Sequence, residues 1–274
     1  MENTRPIKKI ILIIAMAFIS TPFFTYAYKI PIHRDLTYRV LREYNKLYAK
    51  HFSSKEIADA IIGSAGEDDG TRALRHFYDP INNRGLTVLK SFESSKKWAQ
   101  DTNAQSNYGK DTGFNDKYFS NPDDYSWDRA IYEYVYGSKD RAIETLGHIL
   151  HLIQDATVPP HTRNDDHLST LGYGDISLYE EYTLYEKVSD FNLSMSDIPI
   201  YSSLDDYFDN TAEFTNQNFL SKDTVFDGYE KPNESEINKW TVYSENDGES
   251  YLIGQDIISG QLISIVSLTS KRSR

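Results

Sequence analysis

The stretch HILHLIQDATVPPHTRNDDH, residues 148–167, concentrates the polar chemistry of this chain. Four of the seven histidines in the sequence fall within it, beside three aspartates. His151 and Asp155 are four residues apart, so a helix would place them one turn apart on the same face. The apolar residues expected on the opposite face are Leu146, Ile149, Leu150 and Ile153. We therefore predict a helix that buries one side in the core and turns a histidine and a carboxylate toward a common cation.

The residues after this helix support the same interpretation. Pro159-Pro160 should end the helix, which leaves His161 in a turn that can bend back toward the same site. The alternative is a solvated polar stripe whose histidines have no task, but the density of histidines favours a metal site. Nitrogen and oxygen ligands without thiolate suit zinc, whereas calcium takes oxygen alone. Residue type does not distinguish zinc from manganese or iron.

Composition excludes several other classes of protein. The 274 residues contain no cysteine, which rules out disulfides, thiolate-bound zinc, iron–sulfur clusters and a cysteine nucleophile. The 29 basic and 41 acidic residues give a net charge of −12, which repels duplex nucleic acid and anionic membranes unless bound metal reverses the sign locally. Aromatic residues, at 14%, argue against disorder. With no internal repeat and no long linker, a single domain is the simplest interpretation.

The first 27 residues have the three-part layout of a secretory signal peptide. Three basic residues among the first nine precede an apolar run at residues 10–19, and a small-residue ending follows at Thr25-Tyr26-Ala27. We expect cleavage after Ala27, which assigns residues 1–27 to a signal peptide and 28–274 to the folded domain. The expected location is secreted or periplasmic, with no transmembrane span after cleavage. The alternative is an uncleaved membrane anchor.

The rest of the chain is expected to be all-α, with one small β-hairpin near residues 240–253. The predicted helices are 35–48, 54–62, 128–136, 139–154 and 255–268. The hairpin is indicated by Asn246-Asp247-Gly248 between two short apolar segments. Residues 101–126 are predicted to form a long ordered loop whose aromatic residues could contact lipid or pack beneath the loop; these are Tyr108, Phe114, Tyr118 and Phe119.

The spacing His151-x-x-x-Asp155-x-x-x-x-x-His161 resembles the metal motif of the bacterial zinc-dependent phospholipases C and the related single-strand nucleases. Upstream, His76-Phe-Tyr-Asp-Pro80 resembles the phospholipase segment that carries another zinc histidine. Glu67-Asp68-Asp69 is similar to the stretch that supplies a zinc-bound aspartate. Its offset from Gly63 favours Asp68, with Asp69 as the alternative. The resemblance runs from the mature start to the last predicted helix.

Three further positions follow from the resemblance. Tyr179-Glu180-Glu181-Tyr182 resembles the family segment in which the glutamate is a ligand, which gives Glu180. In this superfamily the first mature residue, a tryptophan, binds zinc through its main-chain atoms, and a histidine follows shortly after. Cleavage after Ala27 would put Tyr28 in that place and His33 five residues on.

The chain departs from the family pattern in two ways. The family places a histidine four residues before the ligand glutamate, but position 176 is Ile, so His167 is taken as that ligand instead. The nuclease branch also has disulfides and a glycine-rich asparagine segment, and this sequence has neither. His51 and His148 receive no assignment. His148 either supports a ligand from outside the site or is simply a polar residue beside it.

The resemblance implies three zinc ions and a phosphodiesterase. One ion would be held by Asp68, His76, His151 and Asp155; Asp155 would bridge to a second at Tyr28 and His33; the third would lie at His161, His167 and Glu180. Asp68 would also act as general base toward a metal-activated water. The expected function is a secreted, monomeric phospholipase C that cleaves glycerophospholipids at a membrane surface into diacylglycerol and a phosphorylated head group. The alternatives are a nuclease acting on single-stranded nucleic acid and a catalytically silent, metal-stabilised binding protein.

Overall fold

The computed structural model describes residues 29–49, 51–88, 90–106, 124–166, 199–219, 221, 229, 239–244, 250–255 and 262–267. The described part is mostly helical. Its α-helices are α1 (Ile30–Leu47), α2 (Ser54–Gly66), α3 (Ser95–Gln100), α4 (Thr102–Ser106), α5 (Trp127–Tyr136), α6 (Lys139–Asp155), α7 (Pro159–Thr162) and α8 (Leu204–Asn218), with a 3-10 segment at Gly70–Arg75. Its strands are β1 (Thr87–Val88), β2 (Lys90–Ser91), β3 (Lys239–Ser244), β4 (Ser250–Gln255) and β5 (Leu262–Ser267).

Four of the predicted helices are confirmed as α1, α2, α5 and α6, and local signals explain where they begin. Ser53 caps α2 through a capping box, in which Glu56 Nα donates to Ser53 Oγ and Ser53 Nα donates to Glu56 Oε2. The predicted break at Gly137-Ser138 is also present, with Gly137 ending α5 and Ser138 capping α6. Helices α3, α4, α7 and α8 were not predicted.

Helices α2 and α6 approach each other closely because each has a glycine at the contact. A Cβ atom on Gly63 would lie 1.9 Å from the main-chain oxygen of Glu144, and one on Gly147 would lie 2.0 Å from that of Ala60. Either clash would force the helices apart. The close approach brings the polar end of α6 against the end of α2, where the loop to the 3-10 segment begins.

The faces of α6 differ from the prediction. We expected an apolar face in the core opposite His151 and Asp155, but these two polar residues are themselves fully buried. Of the four apolar residues expected opposite them, Ile149 is buried, whereas Leu146, Leu150 and Ile153 are only partly so. The helix is covered on nearly all sides because α2, α5, α1, α3 and α8 all contact it. The face of α6 that carries His151 and Asp155 therefore lies in the interior of the protein.

Helix α8 closes the structure on the side of α3 and α7. Phe208 is fully buried in an apolar cluster with Trp98 and Leu152. Two polar contacts add to this packing, since Tyr78 donates a hydrogen bond of 2.6 Å to Asp209 and Lys96 donates to both oxygens of the same carboxylate at 2.8 Å. Together these contacts hold the HFYDP segment against α3 and α8.

The C-terminal strands confirm one prediction and overturn another. β3 and β4 pair antiparallel with Trp240 opposite Gly254, which confirms the hairpin. The helix predicted at 255–268 is wrong, because Leu262–Ser267 is a strand that pairs antiparallel with β4 and completes a three-stranded sheet. Ile263, Ile265 and Val266 are β-branched residues that favour a pleated strand.

Within the described residues, no helix is both long and apolar enough to cross a membrane. The predicted signal peptide at 1–27, and most of the loop predicted at 101–126, lie outside the residues that the structure describes. Residues 102–106 of that loop form α4.

Candidate metal centre

Six of the nine predicted ligands come together in the interior, supplied by five separate parts of the chain. These are His33 in the first turn of α1, Asp68 after α2, His76 at the end of the 3-10 segment, His151 and Asp155 on α6, and His161 on α7. All six side chains are at most 3% exposed. His161 lies in a short helix instead of the predicted turn. Helix α6 ends at Asp155, and Pro159 and Pro160 are the first two residues of α7.

Asp155 is the central member of this cluster. Its Oδ2 atom lies 2.9 Å from His76 Nδ1, 3.3 Å from His151 Nε2 and 3.7 Å from His161 Nδ1. Its Oδ1 atom lies 3.4 Å from His33 Nε2. The carboxylate therefore faces four histidine nitrogens from four different elements.

Asp68 approaches the inner nitrogens of two of the same histidines. Its Oδ1 atom is 3.7 Å from His76 Nδ1 and 3.7 Å from His151 Nε2. Two overlapping sets of side chains could each hold a metal ion, with ligand atoms within 4.8 Å of one another. One set is His33, Asp68 and His151, and the other is His76, His151 and Asp155. His151 belongs to both.

The outer nitrogens of three histidines are hydrogen-bonded to groups that can only accept. His151 Nδ1 donates to the main-chain oxygen of Ser64 at 2.7 Å, and His76 Nε2 donates to that of Glu67 at 3.2 Å. His33 Nδ1 donates to Gln154 Oε1 at 2.7 Å. Because each outer nitrogen carries the proton, the inner nitrogen of a neutral ring presents a lone pair to the centre. This is the arrangement found around metal-binding histidines.

The two carboxylates are buried without hydrogen-bond donors among the described residues. Both oxygens of Asp68 and both oxygens of Asp155 lack a hydrogen bond in that part of the chain. The histidine nitrogens near them are close but are not oriented as donors. A buried carboxylate without donors is costly, and a bound cation would remove that cost.

Burial and mutual charge shift the pKa values of these groups in opposite directions. Burial raises the pKa of Asp68 to about 7. Burial also acts to raise the pKa of Asp155, but the neighbouring histidines outweigh it and hold that pKa well below its usual range. Burial lowers the pKa of His33 to about 4, and it would lower that of His151 too, but Asp155 and Asp68 raise the His151 pKa to about 9. The group is strongly coupled electrostatically.

His161 approaches the Oδ2 atom of Asp155, whereas His33 approaches Oδ1. Its ring stacks on Phe77 with centroids 4.4 Å apart, and its main-chain oxygen accepts a 3.0 Å hydrogen bond from Tyr78 Nα. These two contacts join α7 to the HFYDP segment that follows His76. The resemblance assigned His161 to a third ion with His167 and Glu180; in the structure its Nδ1 atom faces Asp155.

The other residues considered from the sequence lie either outside the described residues or outside the two candidate sets. Tyr28, His167 and Glu180 lie outside the described residues. Asp69, the alternative to Asp68, is exposed and belongs to neither candidate set. His51 is exposed and lines a groove between α1, α2, α5 and α6 to which no candidate ligand contributes. His148 is buried and contacts Glu67, 2.6 Å away, without joining the candidate sets.

Sequence reasoning missed the residues that hold the ligands from outside. Gln154 was not singled out, although its position between His151 and Asp155 is a signal that it shares their helix. Its Nε2 atom donates to Thr37 Oγ1 at 3.0 Å, which fixes the amide so that Oε1 faces His33. The oxygen of Ser64 is a main-chain atom, and the sequence carries no sign of its role.

Comparisons with family models, with curated proteins and with solved structures return no match to this chain. The interpretation of the centre therefore rests on its geometry and on the motifs quoted above.

Proposed function

We propose that this protein is a zinc-dependent phosphoric diester hydrolase, of the phospholipase C type. The observation that carries the proposal is the convergence of inner histidine nitrogens on two buried carboxylates that have no hydrogen-bond donors among the described residues. A structural cluster of this kind would be expected to satisfy its carboxylates with donors. The motif spacing at His151, Asp155 and His161 supports the same conclusion independently.

The residues present fit a divalent cation. The donor set contains only imidazole nitrogen and carboxylate oxygen, which suits zinc. With neutral histidines, Asp68 and Asp155 give the centre a formal charge of −2, and one divalent ion would balance it. Three of the rings are held with the inner nitrogen directed at the centre, so metal binding requires the loss of any proton on that nitrogen but little movement of the rings.

The chain's own residues would divide the work of the reaction. Asp155, which faces four histidine nitrogens, would hold the ligand set together. Asp68 has two carboxylate oxygens without donors among the described residues, so it is the group available to accept a proton from the attacking water. Bound zinc would lower the pKa of that water and neutralise the phosphodiester. Zinc ions beyond the one that balances the two carboxylates would make the site locally positive, and so admit an anionic substrate to a protein whose net charge is −12.

The other parts of the proposal follow the sequence resemblance. Tyr28, His167 and Glu180 would complete the sites for three zinc ions. Removal of residues 1–27 during secretion would free the Tyr28 amine for coordination. The substrate would be a glycerophospholipid at a membrane surface, cleaved to diacylglycerol and a phosphorylated head group.

The proposal is tested by pairing two histidine variants. The protein beginning at Tyr28 is stripped with a chelator, reloaded with zinc, and assayed on phosphatidylcholine micelles and on single-stranded DNA. Metal content is measured by mass spectrometry. His151→Ala should lose bound metal and activity, whereas His51→Ala, which alters an exposed histidine, should retain both.

The outcomes separate the candidate functions. Chelator-sensitive release of the phosphorylated head group supports the phospholipase, and cleavage of DNA alone identifies the nuclease instead. Bound metal with no hydrolysis of either substrate would leave a silent metal-binding protein. A wild-type protein that binds no metal would overturn the centre itself.

A further inference from the structure

Glu67, which precedes Asp68 in the chain, is held by three side chains. Its Oε2 atom accepts hydrogen bonds from Arg72 Nε at 3.0 Å, Arg72 Nη2 at 2.7 Å and His148 Nδ1 at 2.6 Å. Its Oε1 atom accepts one from Trp98 Nε1 at 2.8 Å. Glu67 is completely buried, and both of its oxygens are engaged. Its carboxylate is therefore not offered to the metal centre.

The donors to Glu67 come from three separate elements. Arg72 belongs to the 3-10 segment, Trp98 to α3 and His148 to α6. Each donor has a second contact that fixes it. Arg72 Nη2 lies 3.3 Å from Gln105 Oε1, Trp98 lies beneath the Arg72 guanidinium at 4.9 Å, and the His148 ring stacks on Tyr125 at 3.8 Å. The Glu67 side chain thus ties together the parts of the chain that surround the centre.

The main chain of Glu67 connects this network to two candidate ligands. Its oxygen accepts the hydrogen bond from His76 Nε2 at 3.2 Å, which directs His76 Nδ1 toward Asp155 Oδ2, 2.9 Å away. The next residue in the chain is Asp68. A rotation or shift of the Glu67 peptide would therefore move the acceptor that aims His76 and the residue that supplies the second carboxylate.

We propose that Glu67 is a positioning residue of the metal centre, which anchors the peptide that carries Asp68 and orients His76. This inference rests on the proposed function only in requiring that a divalent ion binds at the centre. Glu67 itself touches neither the ion nor the substrate. Its effect passes through the geometry of His76 and Asp68.

The test uses cobalt in place of zinc, because the visible absorption of bound Co²⁺ reports the geometry of its ligands. Glu67→Gln keeps the size of the side chain but removes the charge and replaces one acceptor oxygen with a donor that opposes Arg72 or Trp98. We expect its cobalt affinity to fall between about 10-fold and 100-fold, with a changed visible spectrum, as is typical when an outer partner of a ligand is lost.

The matched control is Glu133→Gln. Glu133 is also buried and receives charge-assisted contacts from Arg129 at 2.6 Å and from Ser138 Nα at 2.8 Å. It lies at the junction of α5 and α6, away from the candidate ligands. Its variant should bind cobalt with the wild-type affinity and spectrum even if its melting temperature falls.

A second variant covers the case in which Glu67→Gln does not fold. Trp98→Phe removes the hydrogen bond to Glu67 Oε1, together with part of the ring that packs in the core and under Arg72, and should alter the cobalt spectrum in the same direction, by a smaller amount. Phe208→Leu, in the same apolar cluster as Trp98, is its control and should leave the spectrum unchanged.

The results distinguish this inference from the proposed function. Wild-type binding of cobalt, together with unchanged affinity and spectrum in Glu67→Gln, or in Trp98→Phe where the first variant does not fold, would overturn the role of Glu67 alone. A wild-type protein that binds no cobalt would overturn the metal centre, and the role of Glu67 with it. Altered spectra in the Glu67 and Trp98 variants, with both controls unchanged, support the inference.

Discussion

Glu67 and Asp68 are neighbours in the chain and are both buried, yet their surroundings are opposite. Glu67 receives hydrogen bonds from Arg72, Trp98 and His148, whereas neither oxygen of Asp68 receives one from the described residues. Burial acts to raise the pKa of both carboxyls. In Glu67 the positive charges of Arg72 and its neighbours outweigh it and hold the pKa far below its usual value, whereas in Asp68 burial prevails. One carboxylate is satisfied by the protein, and the other is buried without hydrogen-bond donors among the described residues.

The difference separates a carboxylate that stabilises the fold from one whose oxygens remain available to a cation. A carboxylate with a full set of internal donors contributes to structure and would lose those contacts if it bound a cation. A carboxylate buried without hydrogen-bond donors has only the charge of neighbouring histidines to offset its burial, and a bound cation would stabilise it further. Substitutions in the two regions should therefore respond in opposite ways to the removal of metal.

The largest effect is expected at Asp155. Asp155→Asn keeps the size of the side chain but removes the charge that faces four histidine nitrogens. We expect loss of at least one bound metal, a decrease in phosphodiesterase activity of more than about 100-fold, and a lower melting temperature with metal present, because metal affinity contributes to folding free energy. Metal analysis, activity and calorimetry measure these three effects.

The control for this variant is an exposed aspartate on another helix. Asp128→Asn alters an exposed residue in the first turn of α5, where such changes are usually within about 0.5 kcal/mol. Full metal content and wild-type activity in Asp155→Asn would remove α6 from the centre of the site.

Glu67→Gln should be the most destabilising change in the metal-free protein. Arg72 would lose its buried ion pair with Glu67, and removal of one member of a buried ion pair costs about 3 kcal/mol or more. Urea unfolding in the presence of a chelator measures the difference. Asp69→Asn, one residue past Asp68 and exposed, should differ from wild type by less than about 0.5 kcal/mol. A Glu67→Gln protein as stable as this control would contradict the distinction drawn above.

Asp68→Asn should have the opposite effect to Glu67→Gln on the unfolding free energy of the metal-free protein. Because burial raises the folded-state pKa of Asp68 to about 7, its ionisation opposes folding as the pH rises from about 4 to 7. Replacement by a neutral side chain should therefore increase the unfolding free energy at pH 7 by about 1 kcal/mol, and should leave stability at pH 4 nearly unchanged.

With metal restored, the order of stability should reverse. Metal binding should raise the unfolding free energy of wild type, and should raise that of Asp68→Asn less because one ligand is lost. Parallel urea titrations at pH 4 and pH 7, with chelator and with zinc, provide the comparison. A loss of stability in Asp68→Asn at pH 7 without metal would mean that Asp68 is a structural carboxylate like Glu67.

The sequence predicted which side chains cluster in the interior better than it predicted the groups that hold them from outside. His151 and Asp155 share a helix of strong periodicity, so their common face could be derived from spacing alone. The oxygen of Ser64 that accepts from His151 is a main-chain atom 87 positions away, and no residue type marks it. The same is true of the Glu67 oxygen that aims His76. Such contacts follow from the close approach of α2 and α6, which only the folded chain displays.

The fold shows a similar division between local and distant causes. α2 and α6 have apolar periodicity and serine caps, so their positions follow from nearby residues. α8 is mostly polar, and its burial of Phe208 against Trp98 depends on residues far away in sequence. The segment that forms β5 has apolar spacing compatible with either a helix or a strand, and its pairing with β4 decides the matter.

The smallest effect is expected at Glu56, a third carboxylate whose contacts lie near the surface. Glu56 completes the capping box of α2 and lies 2.6 Å from Lys139 Nζ at the start of α6. The ion pair with Lys139, together with hydrogen bonds from Ser53, lowers the pKa of Glu56 to about 2. Its contribution should be present above about pH 4.5 and should be lost as the pH falls toward 2.

Glu56→Gln should therefore lower the unfolding free energy at pH 7 by about 0.5 kcal/mol, since a partly exposed pair is screened by solvent. The deficit should disappear as the pH is lowered toward 2, where wild-type Glu56 is itself losing its charge. The contact between Glu56 and Lys139 can be lost without moving either α2 or α6 relative to the centre. The variant should therefore keep the wild-type metal content. Chemical unfolding across this pH range, with metal analysis at pH 7, tests both statements. Loss of metal in Glu56→Gln would show that the contact between the starts of α2 and α6 is coupled to the centre, and that the satisfied and unsatisfied carboxylates of this protein do not act independently.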